Sequence, residues 1–169
     1  MAIHRNSVDA AMPKRIGVLS DTHGMLPGII PEYFSSVDAI VHAGDVGDLA
    51  ILEELRQLAP LTVVRGNCDR GSLWDGIPKT DALVIGNQYI YVLHDLNDLD
   101  LDPWAGGCVC VISGHTHVAK ADWRNGVLFL NPGSASVRRR PSDQLTCALL
   151  TITGTDLSVQ IKSLPEERR

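Results

Sequence analysis

Apolar residues along this chain come in short runs, each closed by a cluster of polar and turn-forming residues. Residues 15–20, apolar from Ile16 to Leu19, have strand length and are followed by a polar turn over 21–24. Residues 38–42 and 61–65 repeat the pattern, with polar turns over 44–47 and 66–70. Short apolar runs bounded by turn signals read as buried strands. Between them, residues 48–58 carry Leu49, Leu52, Leu55 and Leu58 near helical spacing behind Asp48, a good N-cap. Residues 26–35 read as a shorter helix, with Pro27 near its first turn. The order strand-helix-strand-helix-strand predicts parallel strands joined by crossover helices.

The second half changes character. Residues 81–85 and 88–93 flank Gly86-Asn87, and residues 118–123 and 127–131 flank Asn125-Gly126. Both dipeptides are hairpin signals. Residues 109–113 read as one more strand, and 145–152 with 157–161 as a final pair, while 94–107 read as irregular or briefly helical. These elements predict an α/β fold of two packed sheets with outer helices. No repeat or linker divides it, so one domain is expected over 14–165, behind a loose extension over 1–13.

Composition narrows the class. The chain has 169 residues, 44% hydrophobic and 21% charged, as ordinary globular proteins do. No apolar run approaches the roughly 20 residues that cross a bilayer, and the first residues lack the apolar core of an export signal. A cytoplasmic protein is the expectation. The net charge of −5 and the lack of a broad basic tract give no sign of nucleic-acid preference. Arg138, Arg139 and Arg140 form the one basic run, which suits either an exposed turn or a phosphate contact. Of four cysteines, Cys108, Cys110 and Cys147 sit in apolar runs and read as buried thiols.

The chemistry lies where the strands end. Asp21 and His23 follow the first strand, Asp45 the second, and Asn67 and Asp69 the third. His94 follows the 88–93 strand, and His115 and His117 follow the 109–113 strand. Carboxyl ends of neighbouring strands are the usual site of a binding crevice in α/β sheets. Asp, Asn and His donors suit divalent first-row metals, and they are more numerous here than one ion needs. Two ions sharing a carboxylate can activate water and clamp a phosphoryl group. Each residue alone has a plainer reading as a turn residue or a satisfied histidine; their joint occurrence after successive strands is what points to a centre. His42, inside the second strand, reads as a packed histidine supporting that centre.

The motifs SDTHG at 20–24, GD at 44–45, GNCD at 66–69, His94 and GHTH at 114–117 together resemble the calcineurin-like metallophosphoesterase superfamily, in particular its small bacterial and archaeal phosphodiesterase branch. The resemblance implies a two-sheet β-sandwich flanked by helices with the site at one edge. It implies that Asp21, His23 and His117 bind one divalent ion, that Asn67, His94 and His115 bind a second, and that Asp45 bridges them. Asp45, Asn67 and His115 would then act directly in catalysis, with a hydroxide held between the ions attacking a small phosphate ester. Manganese is the preferred ion, with nickel, iron or zinc as alternatives. Phosphodiester hydrolysis follows the small branch; the rivals are phosphomonoester hydrolysis and the noncatalytic scaffold role that some relatives with eroded metal residues have taken. All seven donors are present here. A homodimer or higher homo-oligomer is also implied.

Two positions depart from the family pattern. Cys68 stands where larger relatives carry a histidine that helps protonate the leaving oxygen, and Asp95 stands where many relatives have glycine. Cys68 is expected to be a buried thiol or a pocket contact, with direct metal ligation as a third reading. Asp95 points either outward or into the mouth. Asp69 is expected to orient a metal-bound imidazole by accepting its other N–H.

Overall fold

The computed structural model describes residues 12–166. Apart from Met12 and Pro13, the expected N-terminal extension lies outside the described residues. In chain order the elements are β1 (Lys14–Leu19), α1 (Ile30–Tyr33), β2 (Ala39–His42), α2 (Leu49–Leu58), β3 (Leu61–Val63), β4 (Thr80–Ile85), β5 (Gln88–Leu93), β6 (Cys108–Ile112), β7 (Lys120–Arg124), β8 (Val127–Asn131), β9 (Thr146–Thr153) and β10 (Asp156–Ser163). They build two five-stranded mixed sheets, ordered β10-β9-β1-β2-β3 and β4-β5-β6-β8-β7. The strands β1, β2 and β3 are parallel, as are β5, β6 and β8. Both parallel sets therefore direct their carboxyl ends to loops that can meet at one edge.

Burial follows the pleat, because successive strand residues face opposite sides. Ile16, Val18, Val41 and Leu150 of the first sheet pack between the sheets against Ile90, Val92, Ile112 and Leu130 of the second. On the outer face of the first sheet, Leu19, Ile40 and Leu149 meet Ile30 and Phe34 near α1 and Ile51, Leu52 and Leu55 of α2. Asp48 caps α2 as expected, its carboxylate accepting from the Ala50 N–H at 2.9 Å. The outer face of the second sheet is covered differently. Leu93, Val111 and Val127 lie beneath Leu96 and Leu99 of an irregular segment with one short 3-10 turn. Among the described residues, α-helices thus flank only the first sheet.

The helix expected over 26–35 is reduced to Ile30–Tyr33. Pro31 fills its first turn, its N-cap makes no side-chain bond, and the Ile30 N–H is taken by Pro27 O in a preceding turn. β3 ends at Val63, two residues short of the expectation, because the Arg65 N–H pairs with Pro78 O rather than with β2. Both hairpins form where their dipeptides lie, with Gly86, Asn125 and Gly126 at positive φ.

Candidate functional site

Loops after β1, β2, β3, β5 and β6 converge, and all seven residues expected as metal ligands lie in them. Their backbone is unusual. Among the described residues, the non-glycine residues with positive φ are Asp21, His23, Asp45, His115, His117 and Asn125. All but the hairpin residue Asn125 belong to the expected ligand set. Asp, Asn and His enter the left-handed region more readily than other side chains, but still at a cost of about 1–3 kcal/mol each. Backbone held this way at five converging positions marks a constrained site.

Close approach of the loops depends on glycine, most directly beside the two aspartates. A Cβ on Gly66 would collide with Asp45 Oδ1, and one on Gly114 with Ser20 Oγ and Asp21 Oδ2. Asp21 is fully buried. Its Oδ2 accepts from Ser20 Oγ at 2.6 Å and from the His115 N–H at 3.1 Å. Its Oδ1 has no hydrogen-bonded donor, yet His117 Nε2 lies 3.2 Å away, His23 Nε2 3.7 Å and His94 Nε2 4.0 Å. The His23 and His117 Nε2 atoms stand 3.4 Å apart. A second group forms around Asn67, whose Oδ1 is 3.1 Å from both His94 Nε2 and His115 Nδ1. Asp45 lies between the groups. Its Oδ2 is 3.3 Å from His94 Nε2 and 3.8 Å from His23 Nε2, and its Oδ1 accepts the Cys68 N–H at 2.8 Å.

The charges are mutually dependent. Burial works against ionisation of Asp45, but the hydrogen bonds from His94 and the Cys68 N–H outweigh it and hold the carboxyl well below the usual range. Asp21 is likewise lowered: burial opposes, while contact with His117, the Ser20 hydrogen bond and the charge of His94 prevail. His94 is raised, since Asp45 and the Ala43 carbonyl together overcome its burial. Two buried carboxylates kept ionised among four imidazoles form a cation-seeking environment.

This donor set fits divalent metals. The ligand atoms of Asp21, His23 and His117 lie within 4.8 Å of one another, as do those of Asp21, Asp45 and His94. Asp21 Oδ1 and His117 Nδ1 are buried polar atoms with no hydrogen-bond partner. A buried carboxylate oxygen ringed by imidazole nitrogens, none bonded to it, is arranged for a positive ion rather than for a proton.

Other expectations fare variously. Asp69 does not reach an imidazole; its carboxylate accepts the N–H groups of Val46, Gly47 and Gly66 at 2.9–3.0 Å. It ties the loop after β2 to the loop after β3. The imidazole of His94 is oriented instead by the Ala43 carbonyl, which accepts from Nδ1 at 2.7 Å and leaves Nε2 facing the centre. Cys68 is exposed, not buried; its sulfur lies within 4.8 Å of ligand atoms of His23 and Asp45. Partial desolvation, with the Asp45 charge close by, pushes its thiol up, away from nucleophilic thiolate. Cys108, Cys110 and Cys147 are buried free thiols, as expected. Asp95 turns inward: Oδ2 is 3.6 Å from His115 Nε2 while Oδ1 accepts the Asn97 N–H. The basic run divides, with Arg138 bound to Glu166, Arg140 to Asp143, and Arg139 donating to the carbonyl of His115 at 2.8 Å.

A further supporting segment follows β8, outside the loops that carry the expected ligands. Asn131 donates to Gly114 O at 2.8 Å and Thr116 Oγ1 at 3.0 Å, holding the GHTH loop. Ser134 Oγ donates to the Asp21 carbonyl at 3.1 Å, and Ser136 Oγ to that of Thr22. The Asn-Pro-Gly-Ser sequence at 131–134, a turn directly after a strand, was the available signal. Beside Asn67, His94 and His115 the site opens into a cleft of about 450 Å³.

A mixed two-sheet sandwich with an Asp, Asn and His cluster at the carboxyl edge of its parallel strands defines the metallophosphoesterase class. Residues 15–155 match the calcineurin-like phosphoesterase superfamily domain, and the chain belongs to that family. A probable metallophosphoesterase of Methanocaldococcus jannaschii is 39% identical, over 75% of this chain and 70% of its own length. A phosphodiesterase of the same organism is 30% identical, over 70% and 82%. A predicted phosphoesterase from Streptococcus pneumoniae has the same fold, with a TM-score of 0.74 at 29% identity and 91% of each chain covered.

Proposed function

We propose that this chain is a metal-dependent phosphodiesterase, in which Asp21, His23 and His117 hold one divalent ion, Asn67, His94 and His115 hold a second, and Asp45 serves both. The observation that carries the reading is the ring of imidazoles around the unpartnered, buried Asp21 Oδ1, in loops whose ligand residues adopt positive φ. The position of Asp45 Oδ2, near a histidine of each group, supports a shared role. Ions bound there supply an acidified water and neutralise negative charge growing on the phosphoryl group. Mixed carboxylate, amide and imidazole donors favour manganese while accepting nickel, iron or zinc.

The chain's own contribution is orientation. The Ala43 carbonyl fixes the His94 ring, the Cys68 N–H fixes one Asp45 oxygen, and the Arg139 guanidinium steadies the backbone of His115. Such supports around ligands commonly change affinity or activity by about 10–100-fold. Cys68 is a protonated thiol at the mouth and no strong acid, so diesters with good leaving groups react best. A relative named as a phosphodiesterase supports the diester preference.

The test is chelation, dialysis and reloading with Mn²⁺, Ni²⁺ or Zn²⁺, followed by assays on bis(p-nitrophenyl) phosphate and p-nitrophenyl phosphate. Turnover returns with metal, and the diester is hydrolysed faster. Inactivity of every reloaded form overturns the reading. A faster monoester replaces diesterase with phosphomonoesterase.

A further inference from the structure

The cleft beside Asn67, His94 and His115 is electrostatically lopsided. Arg65 and Lys79 line it together with Asp95, Asp98 and Asp100, and the same two cations meet again, apart from those three carboxylates, around Gly66 and Asn67. The cationic side is built by the backbone: the Arg65 N–H donates to Pro78 O at 2.8 Å, which brings the segment before β4 alongside the end of β3. Arg70 joins them around Gly66 and Asn67, its Nε donating to the Asn67 carbonyl at 2.6 Å. These three cations are poorly neutralised. Arg65 Nη1 reaches only the exposed Asp75, at 3.7 Å, and its buried Nε has no partner. Among the described residues, Lys79 and Arg70 form no ion pair with a carboxylate. A chain with net charge −5 thus keeps three weakly paired cations on one rim of its candidate centre.

We infer that this cleft is a subsite for a second phosphate on the substrate, gripped by Arg65 and Lys79 while the scissile phosphate sits at Asn67, His94 and His115. Guanidinium and ammonium groups are the side chains that bind phosphate, and an arginine with free N–H groups can do so with two bonds. The carboxylates of Asp95, Asp98 and Asp100 repel an anion, so the favoured seat of the second phosphate is at Arg65 and Lys79. The substrate class is therefore a phosphate ester bearing a further phosphate away from the bond to be cleaved. This rests on the reading of the centre as a phosphoesterase.

Calorimetric titration of the Mn²⁺-loaded protein tests it without turnover. The matched probes are fructose 1,6-bisphosphate against fructose 6-phosphate, and 2,3-bisphosphoglycerate against 3-phosphoglycerate. At least one bisphosphate is expected to bind about tenfold or more tightly than its partner. Lys79→Glu and Arg65→Gln abolish that preference, while Lys162→Glu, which makes the same charge change as Lys79→Glu on β10, retains it. Absence of a preference in the wild type, its survival in Lys79→Glu, or equal loss in Lys162→Glu overturns the subsite. Aryl ester turnover, measured separately, reports on the phosphoesterase reading. Hydrolysis without the preference sinks only the subsite, and the preference without hydrolysis sinks only the enzyme.

Discussion

At the scale of single residues, the candidate site sets the buried Asp21 Oδ1 among imidazole nitrogens with no hydrogen-bonded donor. Asp45→Asn keeps the shape of the side chain but removes the charge between the two groups, and His117→Ala removes a neighbour of Asp21 Oδ1. Each is expected to lower bound metal, measured by elemental analysis, and to cut diester turnover by at least about a hundredfold. His42 tests a different property. It is fully buried, and its Nδ1 accepts the Gly44 N–H at 3.2 Å. Its Nε2 faces Thr22 Oγ1 at 3.0 Å, and that hydroxyl itself donates to Val46 O. The ring is therefore neutral, with its proton on Nε2. Burial lowers its pKa to about 4, against the opposing charges of Asp21 and Asp69. Between pH 6.5 and 4 the unfolded chain binds the extra proton and the folded chain does not. Stability is therefore lost as pH falls through that window, by about 2 kcal/mol between pH 7.5 and pH 5. Urea unfolding of metal-free protein at the two pH values measures this, and His42→Gln removes that part of the dependence.

At the scale of elements, the functional parts are the loops that leave the strands, and these loops are tied to one another rather than to the strands alone. Asp69 shows this best, since its one carboxylate satisfies N–H groups from the loops after both β2 and β3. Asp69→Ala leaves those three donors without their acceptor in a buried setting. It is expected to destabilise the metal-free protein by about 3 kcal/mol in denaturant unfolding. The same change loosens Asp45 and Asn67 relative to one another, so metal affinity falls in parallel. The segment after β8 performs an equivalent task through Asn131, Ser134 and Ser136, whose bonds reach the GHTH loop and the loop after β1.

At the scale of the molecule, two sheets share a core and point the carboxyl ends of their parallel strands at one edge. A metal held there would contact loops from both sheets and would link folding to ion binding. Free metal at about a hundred times its dissociation constant adds about 2.7 kcal/mol of stability. For a chain of this size that corresponds to a rise in melting temperature of roughly 5–10 °C on reloading the chelated protein. Calorimetry checks it, and Asp45→Asn is expected to lose most of the rise. No helix among the described residues is long and apolar enough to cross a membrane.

The strands and α2 were legible in the sequence because their signals are local: apolar runs of strand length, leucines at helical spacing, a capping Asp48, and hairpin dipeptides that supply positive φ at Gly86, Asn125 and Gly126. The helix α1 is shorter than its sequence signal, because Pro27 and Pro31 permit a helical start without sustaining one. The candidate donors could be listed from the sequence, since each follows a strand and their joint occurrence, not any one residue, points to a divalent ion. What the sequence could not decide is which atoms meet. The Asp69 carboxylate had a choice between an imidazole and backbone N–H groups, Asp95 between solvent and His115, and Arg139 between solvent and the GHTH loop. Those outcomes depend on contacts between loops far apart in the chain, such as the 94 residues separating Asp21 from the His115 N–H. Periodicity and turn chemistry act within a few residues and fix the elements; only the packing of two sheets sets the distances between their loops, and with them the geometry of the site.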